Sequence, residues 1–274
     1  MHSIGLRNAA GGSLAADVRT LLHYRWLIRF LVSQTRKAEL LGTVLGYAWF
    51  LLEPALNIAV YYFVVVIVFG RNSGSAQQSF VHITLGIAHF LLLQHVVQTC
   101  TGALLLNEGL LMQVKIEPLV FTAAAFSKAL KDSIPAIVLA ALIYLALGPG
   151  VSWRLLVYPL CLASLVVLAW SLALLLSTLY VFFRDLEHIV AIAMRVLMYT
   201  TPVIYSVALV PQRFQGIYLS NPFACLFALL PWCMLGGDPP PAAAVAGLVT
   251  FLAAVLVGAH VVYDRLKVRF TKAF

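Results

Sequence analysis

LLVYPLCLASLVVLAWSLALLLSTLYVFF, residues 155–183, contains no Asp, Glu, Lys or Arg. An α-helix rising 1.5 Å per residue needs about 20 apolar residues to cross a hydrocarbon core of roughly 30 Å, so this stretch is long enough to span a membrane. Five further uncharged stretches lie at residues 54–70, 72–107, 133–153, 196–212 and 239–263. The whole chain is 62% hydrophobic and 10% charged, with a mean hydropathy of +0.97, a composition outside the range of water-soluble domains of this length. The expected fold is therefore an all-α integral membrane protein with six transmembrane helices.

A seventh uncharged stretch, residues 214–237, is interrupted by Gly216, Pro222, Pro231 and the Gly236-Gly237 pair. Broken backbone survives at membrane depth only against protein or water. The stretch is expected to form two short re-entrant helices between the fifth and sixth spans, joined near Asn221-Pro222.

Basic residues set the orientation, because cytoplasmic loops hold the excess of Lys and Arg. Arg7, Arg19, Arg25, Arg29, Arg36 and Lys37 precede the first span, and Arg265, Lys267, Arg269 and Lys272 follow the last. Lys115, Lys128, Lys131 and Arg184 then fall inside, with Arg71, Arg154 and Arg213 outside. This predicts an inner-membrane protein with both termini cytoplasmic. Residues 1–42 form a cytoplasmic N-terminus, 43–263 the membrane domain with its outer re-entrant segment at 211–237, and 264–274 a basic tail. The net charge of +8 follows from this topology and attracts anionic membrane lipids; it is not expected to bind nucleic acid. The first 40 residues are too charged for a signal peptide.

Residues 18–39 have helical periodicity but too much charge to cross a bilayer. Arg25, Arg29 and Arg36 fall on one side, with Leu21, Tyr24, Leu27, Ile28 and Leu31 opposite and a Leu22, Trp26, Phe30 stripe at the border. The pattern predicts a helix lying in the interface. Its Arg face serves either as a positive-inside anchor or as a dock for a cytoplasmic partner.

Two charges are expected at membrane depth, Glu53 and Arg195, where ionisable groups pair or face water. They form an ion pair, within one subunit or across a dimer interface, or else Arg195 snorkels to headgroups while Glu53 supports the Pro54 kink. Tyr61, Tyr62, Tyr199 and Tyr205 read either as an interfacial aromatic belt or as the lining of a sugar channel. The cysteines, Cys100, Cys161, Cys225 and Cys233, lack CxxC spacing; Cys225 and Cys233 share the outer segment, where oxidation is open to them, but free thiols in apolar helices are the expected state. His82, His89 and His95 lack the i, i+4 spacing of a helical metal pair and are expected to serve in packing, with no metal bound. There is no GxxxxGK[ST] loop and no acidic cluster to hold Mg²⁺ and a diphosphate, so neither ATP hydrolysis nor glycosyl transfer is expected of this chain.

Four blocks carry a resemblance to a known family: Leu45-Gly46-Tyr47-Ala48-Trp49 with Glu53-Pro54; Asn107-Glu108-Gly109-Leu110 through Glu117-Pro118; Phe183-Arg184-Asp185-Leu186-Glu187 leading to Thr201-Pro202-Val203-Ile204-Tyr205; and Asn221-Pro222-Phe223. In this order the chain resembles the membrane subunits of ATP-binding-cassette exporters of bacterial surface polysaccharides, the permeases for O-antigen, teichoic acid and capsule. The resemblance implies a homodimer with two cytoplasmic ATPase subunits, which bind the ATP and Mg²⁺, and a lipid-linked polysaccharide as cargo. It implies that Asn107, Glu108, Gly109, Gln113, Lys115 and Glu117 form a coupling segment against the ATPase, with Arg184, Asp185 and Glu187 as a second contact. It also implies that Leu45 and Gly46 flank the lipid entry, and that Glu53, Tyr61, Tyr62, Arg195, Tyr199 and Tyr205 line a channel between the first and fifth spans. Many members have Asn where Glu53 stands, and Arg195 lies outside the family pattern. Small-molecule or drug export by the same architecture is the alternative.

Overall fold

The computed structural model describes residues 14–40, 44–70, 75–113 and 116–270. Arg7, Arg71, Lys115 and Lys272 lie outside the described residues, as do parts of the N-terminal and tail segments. Among the described residues the regular elements are all helical: α1 (Leu14–His23), α2 (Arg25–Leu40), α3 (Trp49–Tyr62), α4 (Ala76–Thr101), α5 (Ala103–Leu106), α6 (Glu108–Gln113), α7 (Leu119–Leu147), α8 (Tyr158–Tyr180), α9 (Leu186–Thr200), α10 (Gln212–Ser220), α11 (Pro222–Leu235) and α12 (Ala242–Leu266). Five helical stretches are long and apolar enough to cross a membrane: Gly46–Val68, Ala76–Thr101, Leu119–Leu147, Trp153–Tyr180 and Ala242–Arg269. The pair α10 and α11 meets at 107° across Asn221. Asn221 accepts the Phe223 N–H on its side chain, capping α11, whose first residue is Pro222.

The helix expected over residues 196–212 is instead α9, which ends at Thr200. Thr201 is extended (φ −117°, ψ 155°), as a residue preceding proline prefers, and Pro202 therefore stops the helix. The interface helix is interrupted at Tyr24, although Tyr24 N–H still bonds Thr20 O at 3.0 Å and Ile28 N–H bonds Tyr24 O at 3.0 Å. Helix α7 starts well before Ser133, so Lys128, Lys131 and Asp132 lie inside it and not in a loop.

Helix α4 is the centre of the bundle and packs on α3, α7, α8, α9 and α11. Its start carries a capping box in which Ser75 and Gln78 satisfy each other's backbone N–H groups. His89 in its middle is buried, held by Leu85 O at 2.6 Å and the Tyr158 hydroxyl at 2.8 Å. All four cysteines are buried free thiols, as expected for Cys225 and Cys233, and the sulfur adjoining Cys233 is that of Cys161, at 3.5 Å.

A second, smaller core gathers one end of the molecule. Leu104, Leu119, Phe121, Leu174, Val181, Ala259, Tyr263 and Phe270 are buried together, with Leu21, Leu31, Leu111, Ile116 and Phe182 packed around them. Tyr263 ties this end together, because the Leu119 N–H at the start of α7 donates to its buried hydroxyl at 3.0 Å. Pro118 offers no side-chain cap there, so α12 supplies what α7 lacks. Tyr263→Phe leaves that N–H unsatisfied and is expected to cost about 1–3 kcal/mol, read as a lower midpoint in a detergent melt.

Candidate functional site

Three helices present polar stripes to one another. On α3, Glu53, Asn57 and Tyr61 recur every fourth residue; on α4, Gln94 and Gln98 stand four apart, after Leu91 three residues earlier on the same face; on α9, Arg195 and Tyr199 stand four apart, after Ala191. These stripes surround a cavity of about 270 Å³. It adjoins a second, of about 100 Å³, which shares Glu53, Leu91, Gln94 and Gln98 and extends to Phe50, His95, Asp132 and Ser133. The joint lining mixes apolar residues, among them Phe50, Ile87, Phe90, Leu91 and Met198, with two acids, three amides, an Arg, a His and two phenols, so it offers hydroxyl-rich or charged groups several hydrogen-bond partners beside apolar contact surface.

Four of the expected channel residues, Glu53, Tyr61, Arg195 and Tyr199, line the larger cavity. The other two do not. Tyr62, one residue around the helix, packs edge-on against Phe80 at 5.0 Å, while Tyr205 donates to Tyr199 O and meets the Tyr218 hydroxyl, each at 3.0 Å. Glu53 and Arg195 share the cavity, yet no ion pair joins them within the chain among the described residues. Asn57, Gln94 and Gln98 escaped the sequence reading, which followed charges and aromatics; amides at fourth positions in uncharged helices were the available signal.

At the inner edge of the smaller cavity sits a cluster that the sequence did not announce. The Asp132 side chain is fully buried on α7, 2.9 Å from Arg36 Nε and 3.1 Å from Lys128 Nζ. Lys128 also reaches Glu39 at 2.7 Å, and His95 Nε2 stands 3.9 Å from Asp132. The Arg36 guanidinium lies over Tyr47 and Phe50, at 5.6 and 5.7 Å from the ring centres. Arg36 thus turns inward and bolts α2 to α7, while Arg25 and Arg29 remain exposed beside exposed Leu22, Trp26 and Phe30. The Arg face expected on one helix is divided between an internal tie and a free surface.

The segments read as cytoplasmic collect around the second core. Leu104, Leu111 and Ile116 bring in the 107–118 segment, Val181 and Phe182 the 184–187 turn, and Leu21 and Leu31 the first two helices. Asn107 O accepts the Leu110 and Leu111 N–H groups and so starts α6, whose Gly109, Met112 and Gln113 are exposed. Lys115 lies outside the described residues. Glu117 is paired inside the chain with Lys267 at 3.3 Å, and Lys267 also holds Asp264 at 2.6 Å. Glu187 accepts the Tyr180 hydroxyl at 2.8 Å, next to exposed Arg184 and Asp185. Asp17 lies 3.7 Å from His260, and burial together with the Asp264 carboxylate raises its carboxyl above the ordinary value. Leu45 and Gly46 precede α3, and Gly46 adopts φ +48°, a left-handed conformation that only glycine takes without strain.

Comparison with known proteins agrees with this arrangement. The model of the family described as ABC-2 type transporter matches residues 30–235. The chain is 24% identical over 196 residues to the O-antigen export system permease protein RfbA of Myxococcus xanthus, covering 72% of this chain and 74% of the relative. It is 24% identical over 212 residues to a protein of the same name from Klebsiella pneumoniae, covering 75% and 78%. With the matched region holding the end of α2, the paired cavities and the bent α10–α11 pair, the chain belongs to the ABC-2 type transporter family.

Proposed function

We propose that this chain is the channel-forming membrane subunit of an ATP-driven exporter that carries lipid-linked polysaccharide, an undecaprenyl-diphosphate-linked O-antigen or related glycan, to the outer side of the bacterial inner membrane. The carrying observation is the lining of the paired cavities, where Glu53, Asn57, Gln94, Gln98, Arg195 and two tyrosines offer hydrogen-bonding groups that a hydroxylated polymer needs. A drug or lipid exporter would call for an apolar cavity instead, and capsule or teichoic acid would be related cargoes of the same path. The named function of the relatives supports the glycan reading.

In this reading two copies of the chain assemble with two cytoplasmic ATPase subunits, which bind ATP and Mg²⁺. Helix α9 makes the fifth crossing, α10 and α11 dip in and return on the outer side, and both termini stay cytoplasmic. The end built on the second core then faces the ATPase. ATP-driven closure of the partner presses α6, the 184–187 turn and the exposed Arg25 and Arg29 face together, and the second core passes that push to α7, α8 and α12. Through the Arg36–Asp132 tie the same movement reaches the cavity wall. Leu45 and Gly46 flank the entry of the lipid-linked headgroup.

Glu108 gives the cleanest test, because its side chain has no partner among the described residues, whereas Glu117 already serves Lys267. Glu108→Arg is expected to leave assembly intact, keep ATP hydrolysis and abolish glycan export. Export at the normal rate in Glu108→Arg would remove α6 from the coupling path.

A further inference from the structure

The two charges of the larger cavity have no counter-charge among the described residues of their own chain. Glu53 on α3 and Arg195 on α9 are both exposed, and neither side chain has an ion-pair or hydrogen-bond partner among the described residues; Asn57 donates only to the Glu53 backbone carbonyl, at 2.9 Å. Glu53 stands about 10 Å and Arg195 about 14 Å along their helical stretches from Gly46 and Leu186, at 1.5 Å per residue. Charges at such depth do not face lipid; they meet an opposite charge or water. Around them the surface is apolar, with Leu52, Leu56 and Val60 exposed on α3 and Ile192 and Val196 on α9. One acid and one base at the mouth of a cavity flanked by apolar helix surface are self-complementary under a two-fold axis, since a two-fold that brings residue i to residue j of the other copy also brings j to i.

We propose that a second copy of this chain covers that face, and that Glu53 of each copy pairs with Arg195 of the other. The two reciprocal ion pairs close the polar path at rest and separate when substrate passes. This rests on the homodimer of the proposed function but adds the contact that holds it shut.

Two differently tagged copies are co-expressed with the ATPase partner, one carrying Glu53→Cys and the other Arg195→Cys, and membranes are oxidised with copper phenanthroline. A covalent dimer bearing both tags is expected, and none when both cysteines sit in one chain beside an unmodified copy. In export assays Glu53→Arg and Arg195→Glu are each expected to lose about tenfold or more, with the double reversal restoring export to within about threefold, as a coupled pair should. Membrane abundance of each variant is followed on the same blots. If Val60→Cys copies crosslink to one another but the Glu53→Cys and Arg195→Cys copies do not, the dimer stands and the pairing is wrong. If the double reversal fails although it assembles normally, the two charges contact substrate separately and the gate is overturned. A complex holding a single copy of this chain would sink the homodimer and the gate together.

Discussion

Asp132→Ala is expected to lower the stability of the purified assembly by about 3–5 kcal/mol, the cost of leaving buried partners uncompensated. The fully buried Asp132 carboxylate lies within ion-pair distance of Arg36 and Lys128, and Glu39 on the far side of Lys128 is half exposed and a weaker counter-charge. Removing the acid leaves two cations facing each other where α2 meets α7. Because half of this contact belongs to the interface helix, the loss is expected as detachment of α1 and α2, visible as new protease cleavage near residues 25–40, together with a lower detergent melting midpoint. Lys128→Met combined with Asp132→Leu should recover part of the loss, since replacing buried charges together avoids the orphaned group. An unchanged midpoint for Asp132→Ala would show that the cluster is solvated and carries no structural weight.

Gly86→Val gives the second large effect. A Cβ at Gly86 would collide with the backbone carbonyl of Val203, and backbone on both sides leaves no side chain to give way. Val203 and Thr201 are fully buried, and the Thr201 hydroxyl anchors on Leu197 O at 2.7 Å, so the turn after α9 is pinned against the middle of α4. Overpacking here is expected to cost about 3 kcal/mol, the upper end for inserted methylenes in a packed core, and to shift α9 away from the cavity. Gly109→Ala, with nothing within 4 Å of the added methyl, is the control and should be neutral or slightly stabilising to α6. Equal melting midpoints for Gly86→Val and Gly109→Ala would mean that the turn is not seated on α4.

These two sites show what was legible in the sequence. Uncharged runs located α4, α8 and α12 well, because lipid excludes charge along a whole helix. The same rule misplaced the end of α9: Arg195 lies inside the helix, as expected, but the uncharged run continues through Pro202, which ends the helix. It also started the 133–153 span too late, because Lys128 and Asp132 neutralise one another inside α7. Glu53, Tyr61, Arg195 and Tyr199 were legible as a set because charge and phenol are rare at that depth. Tyr62 and Tyr205 were not separable from them, since facing depends on a rotation of about 100° per residue that aromatic composition does not carry. The Arg36–Asp132 tie joins residues far apart in the chain, and no local pattern announces such a contact. The close approach of Gly86 to Val203 was hidden likewise, although the Thr201-Pro202-Val203 block had drawn attention to one of its partners.

Deletion of the gene, with lipid-linked glycan measured inside the cell and polymer measured on the surface, tests the central claim most directly. The account predicts that lipid-linked polysaccharide accumulates inside while surface polymer is lost, and that the intact chain, but not Glu108→Arg, restores the surface polymer. Unchanged surface glycan and no internal accumulation, in cells with no second exporter for the polymer, would contradict glycan export and assign the polar cavity to another cargo.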